Sequence, residues 1–139
     1  MDRALGTMRI AAKAGKLILG EEAVSAAASQ KRVRVILTAN DAGQSTLRRA
    51  ERAAEQASVE MITLPCGKEE FGFGLGRGKL AMAAFTDAGL AAGFMEKLRS
   101  EYPDDASYAM CAQALAEKAA SLESRRGKGG RSKKNRTGE

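Results

Sequence analysis

The stretch whose composition most suggests contact with a ligand is Gly72-Phe73-Gly74-Leu75-Gly76-Arg77-Gly78-Lys79, preceded by Lys68. Glycine lets the backbone turn sharply and come close to a bound group, and Lys68, Arg77 and Lys79 place cations on the same rim. The established phosphate loops do not fit it. A Walker loop continues from Gly-Lys into Ser or Thr, and here Gly78-Lys79 is followed by Leu80. A dinucleotide fingerprint follows a strand and opens a helix, whereas this run leads into the apolar LAMAAFT of residues 80–86. Two readings stay open at this point: a backbone turn that meets RNA phosphates, and a tight connection with no ligand.

A second basic group is Lys13-Ala14-Gly15-Lys16, followed by Gly20-Glu21-Glu22 at the start of a helix-like segment. The free N–H groups of a helix N-terminus attract anions, but Glu21 and Glu22 would neutralise that same end. A third is Lys31-Arg32-Val33-Arg34, at a turn into a strand, where a solvated face is the default. Cys66 sits between Pro65 and Gly67-Lys68. A thiol at a helix start beside Lys can be acidified, but the chain has no His to serve as its base. A small buried side chain is the stronger reading of Cys66. Asp41, Asp87, Glu69 and Glu70 show no spacing that singles out an acid–base pair.

The elements that must position these residues follow from periodicity and turn chemistry. RVRVILTA (residues 32–39) and SVEMITLP (58–65) are rich in β-branched residues and bounded by turn formers, which predicts strands. LAMAAFT (80–86) reads as a buried third strand by its length, and Leu17-Ile18-Leu19 as a short one between Gly15 and Gly20. Helices are predicted over 4–14, with Leu5, Met8, Ala11 and Ala12 on one face, and over 21–30, 45–57, 87–98 and 106–123. Ser45 and Asp87 are the expected N-caps. Residues 67–72 suggest a single helical turn, and Tyr102 to Asp105 a linker. Strands alternating with helices predict an α/β sandwich with a parallel or mixed sheet. Phe71, Phe73, Phe85 and Phe94 fit core positions, which argues against an aromatic platform for single-stranded bases.

Composition narrows the class further. The 139 residues carry 23 Lys and Arg against 17 Asp and Glu, net +6, with a pI near 9.6. Two cysteines and no His are too few for a zinc site, which takes about four ligands. No run approaches the roughly 18 apolar residues of a membrane span, and no signal-peptide pattern opens the chain. A cytoplasmic protein without metal or other cofactor is therefore expected. The charge is uneven. Residues 1–100 are net +4, residues 101–124 net −4, and residues 125–139 net +6. The last stretch, RRGKGGRSKKNRTGE, has no apolar residue to bury and is expected to be a disordered basic tail with salt-sensitive affinity for nucleic acid. The division expected is a folded domain over 1–100, a linker and extra helix over 101–124, and the tail.

The combination Leu5-Gly6, Ala14-Gly15-Lys16-Leu17, Gly20-Glu21, Ala39-Asn40-Asp41-Ala42, Phe71-Gly72, Gly76 and Thr86-Asp87 resembles the kink-turn RNA-binding ribosomal protein family of the L-seven-Ae and L-thirty-e type. It is most similar to the bacterial YlxQ-like subgroup, over about residues 1–98. The resemblance implies a three-layer α/β/α sandwich with a four-stranded mixed sheet. It implies no catalysis and no cofactor. It implies binding to kink-turn or ribosomal RNA, a sharply bent helix with tandem sheared G·A pairs, in a ribosome- or translation-associated setting. The stretches it assigns to RNA are Gly20 to Ala26, against the purines, and Gly76 to Ala81, against bulged nucleotides. Strong binders of this type carry Gly-x-Asn-Glu or Gly-x-Lys-Gln and a following Lys. Here Glu22 and Ala23 occupy the purine-reading pair, and Ala26 stands in place of the Lys. The alternative is therefore a protein-interaction or ribosome-assembly module that has lost kink-turn recognition. The RNA-binding candidates are Lys16, Gly20, Glu21, Glu22, Lys31, Arg77 and Lys79.

Overall fold

The computed structural model describes residues 1–131, with side chains through Arg125. Four strands, β1 (Leu17–Leu19), β2 (Val35–Thr38), β3 (Glu60–Thr63) and β4 (Met82–Phe85), form one mixed sheet in the order β1-β4-β2-β3. The last strand in sequence is inserted between the first two. It runs antiparallel to both, pairing Leu17 with Phe85 on one side and Val35 with Phe85 on the other. β2 and β3 run parallel, linked through a helix as a parallel crossover requires.

Both faces of the sheet are covered, so its central strands are buried along their whole length rather than alternating with solvent. Alternation within them decides which helical layer each side chain meets. Val35, Leu37, Ala83 and Phe85 point to one layer, made by α1 (Asp2–Lys13), α4 (Lys68–Gly74), α5 (Ala88–Glu101) and α6 (Ala106–Arg131). Ile36, Met82 and Ala84 point to the other, made by α2 (Glu21–Ser29) and α3 (Gln44–Ala57). The result is the three-layer α/β/α sandwich with a four-stranded mixed sheet. The α2–α3 layer is packed through Ala27, Ala28, Ala50, Ala53 and Ala54, whose short side chains let those helices lie close to the sheet. In the opposite layer Phe85 meets Phe94 of α5 with ring centroids 5.1 Å apart, tilted by 42°.

The strand and helix segments match their expected positions within a few residues, with instructive exceptions. Ser45 does not cap α3: the N-cap is Gly43, with no side-chain cap bond. Asp87 does cap α5, its Oδ2 accepting from the Leu90 N–H at 2.9 Å. The segment expected to be one turn is a seven-residue helix, α4. Its first N–H, that of Lys68, donates to Asp41 Oδ1 at 2.8 Å.

The core does not stop at residue 100. Tyr108, Cys111, Ala112 and Leu115 of α6 are buried in the same cluster as α1 and α5, and the Tyr108 hydroxyl donates to the Thr63 carbonyl at 2.7 Å. α6 lies along α5 and reaches β3, so the expected boundary cuts through a shared core. α6 also continues to Arg131, so the first residues of the expected disordered tail, 125–131, belong to a helix. Residues 132–139 lie outside the described residues. Among the described residues no helix is long and apolar enough to cross a membrane.

The docking of α6 makes a measurable prediction. Leu115→Ala should destabilise the protein by about 2–5 kcal/mol, the usual range for a buried Leu. Met110→Ala, at a site 72% exposed, should stay within about 0.5 kcal/mol of the parent. Urea unfolding of the two variants checks both; equal small effects would mean that α6 is not part of the folding unit.

Candidate nucleic-acid interface

The insertion of β4 gathers several chain segments at one end of the sheet. Gly20 N–H donates to the Met82 carbonyl at 2.9 Å, Ala39 N–H to the Ala81 carbonyl at 3.0 Å, and Leu80 N–H to the Lys68 carbonyl at 3.0 Å. These bonds bring the starts of α2 and α4 to the loop that feeds β4, and Asn40 N–H adds the Pro65–Gly67 turn by donating to the Cys66 carbonyl at 2.9 Å. Gly20 therefore adjoins Met82, the residue at which the Gly76 to Ala81 segment enters β4.

Gly20 is the N-cap of α2 and has φ 98°, a left-handed conformation that glycine tolerates and other residues resist. It supplies no side-chain cap, so the first N–H groups of α2 face outward, as at an anion-accepting helix start. The two acids there behave differently. Glu21 is engaged within the protein: its Oε2 accepts from Thr46 Oγ1 at 2.8 Å and its Oε1 faces Arg49 Nη1 at 3.4 Å, tying α2 to α3. Glu22 and Ala23 are exposed.

The glycine-rich run lacks the strand-to-helix form of a nucleotide phosphate loop. Its first part is the end of α4, and the rest is a connection into a strand. Gly72 is where glycine is indispensable, because an added Cβ would lie 2.6 Å from the Gly78 carbonyl oxygen. Arg77 N–H donates to the Gly72 carbonyl at 2.7 Å and Gly76 N–H to the Phe73 carbonyl at 3.1 Å. Arg9 Nε donates to the Gly74 carbonyl at 2.7 Å. The loop is thus held by its own backbone and by α1, with Arg77 and Lys79 exposed on its outside.

Two of the seven candidates lie elsewhere. Lys16 precedes β1, and its carbonyl accepts from Thr86 N–H at 3.0 Å, at the far end of β4. Lys31 follows α2, next to Arg34, whose N–H donates to the Phe85 carbonyl at 2.7 Å. At about 3.3 Å per residue along a strand, Lys16 is roughly 13 Å from Gly20. Gly20, Glu21, Glu22, Arg77 and Lys79 share one end, and Lys16 and Lys31 share the other. Lys31, Arg34 and Lys118 line a cleft of 360 Å³ at that far end, where Arg34 Nε is buried without a hydrogen-bond partner among the described residues.

Sequence reasoning missed one residue at the near end. Phe73 is not in the core: it is 85% exposed, whereas Phe71, Phe85 and Phe94 are 0% exposed. It lines a shallow concavity of 610 Å³ with Glu69, Glu70, Arg77, Gly78 and Lys79. The available signal was the spacing of Phe71 and Phe73. Two residues apart on a helix do not share a face, so only one of them could enter the core.

The thiols offer no nucleophile. Burial, with Glu70 nearby, pushes Cys66 up to about 11, and burial, with Glu60 nearby, pushes Cys111 up to about 12. Both are free and buried, so the buried reading of Cys66 holds. Among the described residues no three His, Cys, Asp or Glu side chains gather as a metal-binding group.

No family model and no curated protein matches the chain. Solved structures do: 185 chains resemble it. One, from Bacillus halodurans and described as a protein with unknown function, superposes with a TM-score of 0.60 at 22% identity, covering 66% of this chain and 91% of that one. At that identity the likeness speaks for the α/β fold alone.

Two predictions follow from this geometry. Gly72→Ala should displace the loop and lower the unfolding midpoint, whereas Gly78→Ala, with open space at its Cβ, should leave it nearly unchanged; amide shifts of residues 76–81 would report the displacement. The thiols should resist alkylation at pH 8 and react once urea unfolds the chain. Both folded values lie above the ordinary 9.0, so their contribution to stability is present at neutral pH. It is lost as pH rises through 9 towards about 11 for Cys66 and about 12 for Cys111, and changing both residues to Ala should flatten that alkaline fall.

Proposed function

We propose that this chain is a non-catalytic RNA-binding protein of the kink-turn-binding ribosomal type, acting on structured RNA in a ribosome- or translation-associated setting in the cytoplasm. The observation that carries the reading is the Gly20 N–H bond to the Met82 carbonyl, 2.9 Å long. It ties the start of one stretch that the family resemblance assigns to RNA, Gly20 to Ala26, to the residue that directly follows the other, Gly76 to Ala81. The outward N–H groups of α2 and the Arg77–Lys79 rim are suited to a phosphate backbone, and Glu22 to accepting a hydrogen bond from a guanine edge. Charge alone does not recommend this end, because Glu22, Glu69 and Glu70 stand beside the cations. Recognition would rest on shape and base edges, with the backbone contacts setting orientation.

A second reading is a protein-interaction or ribosome-assembly module. The exposed Glu22-Ala23 pair favours it, since this is where the residues depart from those of strong RNA binders. Affinity capture with and without RNase separates the two: partners that survive the nuclease support the second reading.

Binding should be stronger for a kink-turn hairpin than for a straight duplex of equal length at near-physiological salt, and equal affinities would contradict kink-turn recognition. Arg77→Glu or Lys79→Glu should weaken binding and lower the slope of log affinity against log salt by about 1 for each phosphate contact removed. Lys16→Glu and Lys31→Glu, at the far end, should weaken both RNAs alike and leave the preference intact.

A further inference from the structure

Phe73 is the one aromatic side chain of this chain that the fold leaves in solvent. Phe71, Phe85 and Phe94 are fully buried, Tyr108 is 4% exposed, and Tyr102 is half-buried. A large apolar ring at 85% exposure contributes little to the core, so packing does not account for a Phe at this position.

Its backbone is unusually well held. On the inner side of α4, Phe71 is fully buried, and Gly72 is pressed against the Gly78–Lys79 backbone. Gly74 packs on Leu5 and its carbonyl accepts from Arg9 Nε. The Phe73 carbonyl itself accepts from Gly76 N–H at 3.1 Å. The ring therefore projects from a fixed point and has only two side-chain torsions left to restrict. That lowers the entropy cost of placing a flat surface against a partner.

Its neighbours point to the partner. Arg77 and Lys79 line the same concavity and carry positive charge beside the ring. An apolar face next to two cations matches a nucleotide, which offers a flat base and an anionic phosphate at a short fixed separation. Glu69 and Glu70 line the same concavity, so Arg77 and Lys79 are the groups there suited to phosphate. Stacking tolerates any base, because each presents a π-face.

We propose that Phe73 is a stacking platform for a single unpaired base of the bound RNA, whose phosphate is met by Arg77 and Lys79. The inference rests on the RNA-binding reading above and adds to it Phe73, which lies outside the stretches the family resemblance assigns to RNA, as the side chain on which a base stacks.

The chain has no Trp, so Phe73→Trp creates a lone fluorescent reporter at the platform. The variant is titrated with a kink-turn hairpin carrying an unpaired nucleotide, and with the same hairpin made abasic there. Binding is read separately from the anisotropy of labelled RNA. The intact hairpin should quench the emission and the abasic one should not. Phe73→Ala and Phe73→Leu should each weaken binding of the intact hairpin by roughly ten-fold, while Phe73→Tyr should preserve it. These variants should not disturb the abasic complex. Binding with unchanged emission, or undiminished affinity in Phe73→Ala, would overturn the platform and leave the RNA reading standing. Absence of RNA binding by the unaltered protein would overturn both. Loss in Phe73→Ala of an RNase-resistant protein partner, with RNA affinity unchanged, would assign the ring to a protein contact instead.

Discussion

The entry of β4 into the middle of the sheet is the constraint from which the rest of the architecture follows. Met82 to Phe85 must pair on both edges at once, with β1 and with β2, and must bury both faces. Small residues make this possible. Ala83 and Ala84 are 0% exposed and let helices approach from both sides, while Met82 and Phe85 fill the space beyond them. Because the strand is fully buried, its flanking backbone groups need partners, as buried N–H and C=O groups do in general. Gly20, Ala39 and Lys68 supply them at its start, and Lys16 at its end.

Those same bonds organise the surface. At the start of β4 they draw together the opening of α2 and the loop after α4, so that residues about 55 positions apart in sequence share one end of the molecule. The loop owes its form to the close approach of Gly72 to Gly78, which a side chain on Gly72 would forbid. At the other end of the strand sit Lys16, Lys31 and Arg34, with α6 passing by at Lys118 on its way to the basic residues from Arg125 onward. Among the described residues, the cations Lys16, Lys31, Arg34 and Lys118 thus lie away from the end proposed to read RNA. Affinity and selectivity would then arise at different places, a division common among nucleic-acid-binding proteins.

Much of the architecture was legible in the sequence because the signals were local. The β-branched run before Thr38, the apolar run before Thr86, and Asp87 as a cap each depend on a few neighbouring residues. What escaped depends on contacts distant in sequence. Ser45 is a good capping residue, but the helix begins a position earlier, because the chain enters α3 through Gly43. α6 is rich in Ala and acidic in net charge, which hides the stripe formed by Tyr108, Cys111 and Leu115 that joins the core. Lys16 and Gly20 are close in sequence yet separated by the length of β1. Phe73 has the type of a core residue, but its two-residue spacing from Phe71 allows only one of them to face inward, and the structure shows that Phe71 is the one.

The central claim is that RNA engages the end of the sheet where α2 begins and β4 enters. Amide chemical-shift mapping with a kink-turn hairpin tests it most directly. The account predicts perturbations concentrated at Gly20 to Ala23, Phe73 and Gly76 to Ala81, with residues around Lys16 and Lys31 changing little. Perturbations gathered instead around Lys31, Arg34 and Lys118, with the α2 start unchanged, would contradict it.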